Sequence, residues 1–526
     1  MRKIKMKLWF VSMECANIAE AGGVKNVTFS LCKEFSLLGH EVTLFIPVFK
    51  CNSWDFLKEV KQNFAQADIF LCGKNEKVTY TKAICNQGDF NVVLINHPSF
   101  AEKEAVYTYT DHEQKLNPDH KKGEGHQDSL FLDVLFQKSV CQYLNLLPEK
   151  NLPQIIHCQD ASAAILPAFL AQTKFSNQIK SLVTIHNAGP FYHHDFSSLG
   201  EAAWYTDLPV DLLTKAQNPQ NNNHVEPFLI ASYSGAALTT VSEVYADELK
   251  DPANSDLTEG LSTIFYEKNI QIKGITNGFD YERYDPENKK SSKLPFTFSP
   301  ANGDLQGKFK CRKFFIQKVV NSDDFDTSGI KKYGKISSDE GIFIAYHGRV
   351  TSQKGISVLT QAIPAILSNF PTVKFVLAGQ GERKLEEEII NLTEKYPGKI
   401  TFMNGYNQAV VRMVTAICDF IVLPSFFEPC GLEDFIAQTY GTLPIAHRTG
   451  GLNKILDQKT GFLYDENTSQ ALVAKISQVI TIKMLKPAKI NQMVKFAGKY
   501  IRKKYLWKTV IEKKYLQFFK EILKKR

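Results

Sequence analysis

A carboxylate and a glycine stand at the exit of a segment that reads as a buried strand. Phe426-Phe427-Glu428-Pro429-Cys430-Gly431-Leu432 follows the apolar run Phe420-Ile421-Val422-Leu423-Pro424. Open α/β sheets place their ligands at the carboxyl ends of their strands. The helix expected after Gly431 offers unpaired N–H groups and a partial positive charge to a phosphate. Glu428 beside it is suited to sugar or ribose hydroxyls. Tyr440-Gly441-Thr442-Leu443-Pro444 and Arg448-Thr449-Gly450-Gly451-Leu452 follow at short range. One strand exit thus carries the parts needed to hold a nucleotide sugar.

Tyr346-His347-Gly348-Arg349 ends another expected strand, and Gln353-Lys354-Gly355 opens the next helix. Arg349 and Lys354 share that loop, so both can reach one diphosphate, one as a bidentate guanidinium and one as a point charge. Two exposed surface charges are the ordinary reading of such a pair. Here both lie on the strand edge that also carries Glu428. In the first half, His157-Cys158-Gln159-Asp160 and Thr184-Ile185-His186-Asn187 end two further strands, which places Asp160 and His186 on one edge. A hydrogen-bonded structural histidine is the alternative for His186. Gly22-Gly23 opens the first helix and alone is a weak signal, equally a tight strand-to-helix turn.

The elements that must position these residues alternate between strand and helix, which implies parallel sheets. In the first half, strands are expected at Lys7 to Ser12, Glu41 to Pro47, Val92 to Asn96, Ile155 to Cys158, Leu182 to His186 and Leu238 to Val241, with a helix at Val24 to Leu38. Thr110 to Gln127 and Lys215 to His224 read as surface loops. In the second half, strands at Ile342 to Tyr346, Lys374 to Ala378 and Ile400 to Met403 precede helices at Gly355 to Asn369, Glu382 to Tyr396 and Gln408 to Cys418. A boundary is expected near Ile275-Thr276-Asn277-Gly278, since Tyr284 to Glu340 is polar and irregular. The last helix, about Tyr505 to Lys525, is amphipathic and needs an apolar surface to dock on.

At 526 residues the chain is too long for one core, and two or three domains are expected. Hydrophobic content of 44% with 22% charged residues is that of a soluble globular protein. The net charge of +8 is modest. Basic residues cluster from Arg502 to Arg526 but interleave with apolar ones at helical spacing, which reads as a solvated helix face. Neither a nucleic-acid nor a membrane partner is expected. Ten cysteines are scattered without a Cys-x-x-Cys pair, which suits reduced thiols in a cytoplasmic protein. Met1 to Ala16 mimics a signal peptide, but its apolar part is short and Glu14 interrupts it. No run approaches membrane-spanning length.

These motifs together resemble bacterial glycogen synthases and plant starch synthases, which are GT-B glycosyltransferases. The resemblance runs from about Lys7 to Phe519. Its specific parts are Phe427 to Leu432, Tyr440 to Pro444 with Arg448 to Leu452, Gly348 to Gly355, and Asn277-Gly278-Phe279-Asp280. It implies an α/β chain of two doubly wound, Rossmann-like domains separated by a cleft. Residues 1–275 would form the acceptor side, 276–503 the nucleotide-sugar side, and 504–526 a helix packing back on the first domain.

The implied activity is retaining transfer of glucose from ADP-glucose to the non-reducing end of an α-1,4-glucan. Arg349 and Lys354 would stabilise the diphosphate leaving group and Glu428 would hold donor hydroxyls. His186 would contact the glucose near C6, and Asp160 would bind and orient reactants. Glu20, Gly22, Gly23, Asn187, Asn277, Cys430, Gly431, Leu432, Thr449, Gly450 and Gly451 are the implied substrate-binding positions. No cofactor or metal is implied, because two cations and a helix terminus supply the positive charge.

The sequence departs from the family pattern at Glu20, where a lysine is usual, and at Glu433, where Thr or Asn is common. Ala161-Ser162, Leu132 and Ile230 also replace usual residues. A UDP-glucose-dependent relative and a weakly active glucan-binding homologue are the alternatives.

Overall fold

The apolar runs pair as their lengths and flanking turns require. In the computed structural model, which describes residues 5–524, Lys7–Val11 lies parallel to Glu41–Pro47 on one side and to Ile155–Gln159 on the other. The chain divides into two compact units, Met1–Asn277 with the C-terminal segment from Val510, and Gly278–Thr509. Each has its own sheet. Lys525, the last residue of the expected terminal helix, and Arg526 lie outside the described residues, as do Met1 to Ile4.

Among the described residues, the first sheet orders nine strands. From one edge they run Ile272–Gly274, Ala237–Thr240, Lys180–Ile185, Ile155–Gln159, Lys7–Val11, Glu41–Pro47, Phe90–Asn96, Lys74–Cys85 and Leu57–Leu71. The first seven are mutually parallel. The last two add antiparallel. This hairpin departs from the expected all-parallel reading. Its outer strand is exposed over most of its length, so it lacks the apolar run that marks a buried strand. Parallel order reverses between Lys7–Val11 and Ile155–Gln159, and this pair is the topological switch point of the sheet.

The second sheet runs Ile330–Gly334, Ile400–Gly405, Val373–Gly379, Ile342–His347, Phe420–Leu423, Leu443–His447 and Phe462–Tyr464. Only Ile330–Gly334, inside the stretch expected to be irregular, is antiparallel. The switch falls between Ile342–His347 and Phe420–Leu423, with Ile344 beside Phe420. Alternate residues feed two cores. Ile342, Ile344 and Tyr346 join one buried cluster, and Phe343 and Ala345 join the other. A strand covered on both faces must be apolar throughout, as this one is.

The C-terminal segment docks on the first unit, which answers what its amphipathic pattern left open. It is not one regular helix: a π-helical turn at Ile511–Tyr515 separates Trp507–Val510 from Leu516–Lys524. Phe519 stacks on Phe35 with ring centroids 5.3 Å apart and planes 2° off parallel. Both rings are fully buried. Phe519→Ala is expected to cost about 3–5 kcal/mol, the range for emptying a buried aromatic site. Thermal unfolding followed by circular dichroism should show the first unit melting earlier.

Candidate functional site

In the second unit, the two strands at the switch point deliver Lys354 and Glu428 to each other. The Lys354 Nζ lies 2.5 Å from Glu428 Oε2, with both side chains largely buried. Ser425 Oγ donates to the same carboxylate oxygen at 3.1 Å. The two loops are also joined through their backbones, since the Phe426 N–H donates to the Gln353 carbonyl at 2.9 Å. Gly355 makes this approach possible. Its φ is +69°, and a Cβ there would fall 1.8 Å from the Pro424 carbonyl oxygen.

Arg349 is exposed and donates to Gln353 Oε1 at 3.4 Å. It acts electrostatically on Lys354, so the pair expected from spacing shares one neighbourhood. Burial alone would push the Lys354 ammonium down. Glu428 and then Glu433 reverse this, and the net shift is upward. Lys354 therefore stays cationic at neutral pH.

The glycine-rich segment after Leu443–His447 closes onto the Glu428 loop. The Gly451 N–H donates to the Glu428 carbonyl at 2.8 Å. A Cβ on Gly451 would meet the Cys430 carbonyl oxygen at 2.0 Å. The Thr449 hydroxyl donates to the Phe426 carbonyl at 3.2 Å. Gly431 and Gly450 take positive φ, +70° and +44°. Lys454 binds the whole arrangement: its ammonium donates to the carbonyls of Cys430 at 2.5 Å, Gly431 at 2.8 Å and Gly451 at 3.0 Å. It also pairs with buried Asp434 at 2.9 Å. Cys430 and Leu432 are half-buried, and Leu432 packs against the Phe279, Phe435 and Tyr505 cluster.

In the first unit, Asp160 and His186 do share one strand edge. The Asp160 carboxylate accepts the His186 backbone N–H at 3.2 Å. The His186 ring is buried and its Nε2 meets Gln159 Oε1 at 2.8 Å. Burial drives its pKa down to about 3, which leaves a neutral imidazole. Asp160 has φ +65° and ψ −177°, a region that costs a non-glycine residue about 1–3 kcal/mol. Backbone N–H groups of His186, Asn187 and Ala161 converge on its carboxylate and hold it there. Burial is the main cause of its pKa rising to about 7, opposed by His194.

Asn187 uses its side-chain oxygen to accept the Gly189 N–H at 2.9 Å. Asn277 is buried, with its Oδ1 lacking a hydrogen-bond partner. Glu20 is exposed, pairs with Lys25 at 3.1 Å and accepts the Asn17 N–H. A Cβ on Gly22 would lie 3.0 Å from Glu14 Oε1, a tight contact with a side-chain end. A Cβ on Gly23 would meet nothing within 4 Å.

Sequence reasoning missed four groups beside these sites. Buried Glu14 accepts the Ala21 N–H at 3.2 Å, and burial raises its pKa to about 7. It thereby shapes the Gly22-Gly23 turn, whereas the sequence reading used it only as an interruption of the apolar start. His194 meets Asp133 Oδ2 at 2.6 Å and is the foremost charge acting on Asp160. Lys454 with Asp434, and His347, complete the set. None of these roles follows from a recurring pattern. The one available signal is that Lys454 follows Gly450-Gly451-Leu452 by two positions.

Comparison with known proteins follows the same division. A starch synthase catalytic domain model matches residues 7–264, and a glycosyl transferases group 1 model matches residues 331–499. The glycogen synthase of Thermodesulfovibrio yellowstonii is 28% identical over 542 residues, spanning 99% of this chain and 99% of its own. The chain belongs to the glycogen and starch synthase family. Another family member, the glycogen synthase of Mycoplasma mobile, is 26% identical over 97% of this chain and 99% of its own. Among solved structures, the catalytic domain of Arabidopsis thaliana starch synthase IV, bound to ADP and acarbose, superposes with a TM-score of 0.81. It is 21% identical and covers 99% of this chain and 100% of its own. At that identity the likeness establishes the family's GT-B fold.

The raised pKa of Asp160 has a consequence for stability. The unfolded chain releases this proton near pH 3.8, while the native protein keeps it to about 7. Stability is therefore lost as pH rises across that window and is level above it. Asp160→Asn removes the titration. Its melting temperature relative to wild type is expected to climb from pH 4 to about 7 and then stay constant, as differential scanning fluorimetry across a buffer series would show.

Proposed function

We propose that this protein transfers glucose from a nucleotide sugar, ADP-glucose, to the non-reducing end of an α-1,4-glucan with retention at the anomeric carbon. The observation that carries the reading is the buried Lys354–Glu428 pair at the switch point of the second sheet. Its context is a chain aligned along its whole length with proteins named glycogen synthase. Lys354 and Arg349 neutralise charge on the departing diphosphate, and Glu428 accepts hydroxyls of the donor.

Such charge complementarity serves the leaving group most when solvent is excluded and the cations are already in place. Lys354 meets both conditions, being largely buried and held by Glu428. In the first unit, neutral His186 and protonatable Asp160 are groups for sugar hydroxyls. The acceptor's 4-hydroxyl oxygen bonds to C1 on the face the diphosphate leaves. The C1–O bond to phosphate breaks, and a departing phosphate oxygen takes the hydroxyl proton. Nucleoside diphosphate and a glucan longer by one residue are the products.

A second reading, a weakly active glucan-binding homologue, is favoured by one observation, a carboxylate at position 20, paired with Lys25 at 3.1 Å, where the family usually has a lysine. One experiment separates them. Purified protein is given radiolabelled ADP-glucose or UDP-glucose with glycogen, and label in polymer is counted. Incorporation from ADP-glucose is expected to exceed that from UDP-glucose. Lys354→Ala should lower kcat/KM about 10²–10³-fold, as loss of one charge-stabilising donor does. Turnover unaffected by Lys354→Ala would sink the assignment, and absence of any label would favour the second reading.

A further inference from the structure

The segment that presents His186 lies just beyond its strand, Lys180–Ile185, so side chains hold its backbone where the sheet ladder has ended. The Thr240 hydroxyl donates to the Ile185 carbonyl at 2.7 Å. Asp160 accepts the His186 N–H. The Ala188 peptide is gripped from both sides. Its N–H donates to the Tyr245 hydroxyl at 2.9 Å, and its carbonyl accepts from His193 Nε2 at 3.1 Å. Tyr245 and His193 are both buried.

His193 is the cation among these holders. Its Nδ1 meets both carboxylate oxygens of Glu226, at 3.0 and 3.2 Å. Glu226 also accepts a side-chain N–H of Asn218 at 2.8 Å. A carbonyl brings no proton to a hydrogen bond, so Nε2 must carry one. With a carboxylate at the other nitrogen, an imidazolium satisfies every atom of the set. Glu259 lies 3.6 Å from Nε2. Burial alone would push the ring's pKa down. The hydrogen bond to Glu226 and the charges of Glu226, Glu259 and Asp195 outweigh it, and the pKa rises to about 9.

The chain accepts backbone strain to bring this ring back to Ala188. The Tyr192 N–H donates to the Gly189 carbonyl at 3.1 Å, closing a tight turn. Phe191 within that turn takes φ +72°, a region that non-glycine residues rarely adopt. The His193 and Glu226 side chains are 1% and 0% exposed. A buried ion pair is often no more stable than well-packed apolar residues of the same volume. Stability of the fold alone gives no reason for this one.

We propose that His193, braced by Glu226, is a positioning residue: its imidazolium holds the Ala188 carbonyl and thereby fixes the segment that presents His186 to the donor's glucose. The inference rests on the glucosyl-transfer reading above and deepens it. Being buried, His193 acts through His186 and not on the sugar. A purely structural pair would support the fold and leave turnover by the folded protein unchanged.

The double variant His193→Phe with Glu226→Met tests this by replacing both charges with apolar groups. Its melting temperature is expected to match or exceed that of wild type. Its kcat/KM for ADP-glucose should fall between about 10- and 10²-fold, the scale for a reacting geometry displaced by about an ångström. Isothermal titration should show ADP, which lacks the glucose, bound with unchanged affinity. His193→Gln, which keeps an N–H donor, should recover part of the loss. In a His186→Ala background the double variant should add little, because the group it acts through is already gone. A folded double variant with wild-type kcat/KM, or losses that multiply in the His186→Ala background, would overturn the inference and leave the function standing. Should the double variant fold poorly, His193→Gln in both backgrounds gives the same comparison. Absence of turnover by wild type would overturn the inference and the glucosyl-transfer reading together.

Discussion

The buried ion pair between Lys354 and Glu428 is the constraint around which the second unit is organised. Taking two charges out of water costs several kcal/mol per ion, and their attraction repays this only when geometry and further hydrogen bonds are good. The sequence meets that condition in layers. Parallel pairing of Ile344 with Phe420 fixes where both strands end. The Phe426-to-Gln353 backbone bond fixes the two loops against each other. Ser425 then supplies the extra hydrogen bond to the carboxylate. A hydrophobic pair of similar volume would be no less stable by the same arithmetic, so the retention of charge here argues for use.

The glycines around this pair act by letting backbone approach backbone. At Gly355 and Gly451 an added Cβ would collide with a carbonyl oxygen that cannot move without dragging its loop. Close approach brings several carbonyls together, and their mutual repulsion needs a donor. Lys454 provides it with three hydrogen bonds and a partner in Asp434. The Cys430-Gly431 turn is therefore held by an ammonium from a neighbouring loop, and the orientation of Glu428 depends on that support.

How much of this was legible follows from what leaves a pattern. Phe420–Leu423 could be placed because a strand buried on both faces must be apolar, and the strand exit then located Glu428. Arg349 and Lys354 could be placed for the same reason. The hairpin Leu57–Leu71 with Lys74–Cys85 left no such trace. Its outer strand carries Lys58, Glu59, Lys61, Gln62 and Asn63 facing solvent, so alternation is lost where neither face is buried. The terminal segment was legible as amphipathic, but its π-helical turn was not, since one extra residue per turn barely alters the apolar spacing. His194 and Lys454 act through contacts with distant parts of the chain, which spacing cannot encode, and Glu14 acts on a turn seven residues on without belonging to a recurring motif. Glu433 was legible as a departure, but its hydrogen bond to the Leu432 N–H was not.

The two candidate sites handle charge in opposite ways. Around Asp160 and His186, burial suppresses ionisation: Asp160 and Glu14 hold protons to about pH 7, and His186 stays neutral down to about pH 3. Protonated acids and neutral imidazoles donate and accept hydrogen bonds without a net field, which suits the hydroxyls of an uncharged sugar chain. At the Lys354 site of the second unit, burial is overcome. Lys354 remains ionised because it faces an opposite charge, Glu428 at 2.5 Å. Ionised groups held at fixed positions suit a reaction whose leaving group gains negative charge. A fold of two sheets, each with its own switch point, lets one chain maintain both environments, since neither set of strand ends has to serve both a neutral and a charged ligand.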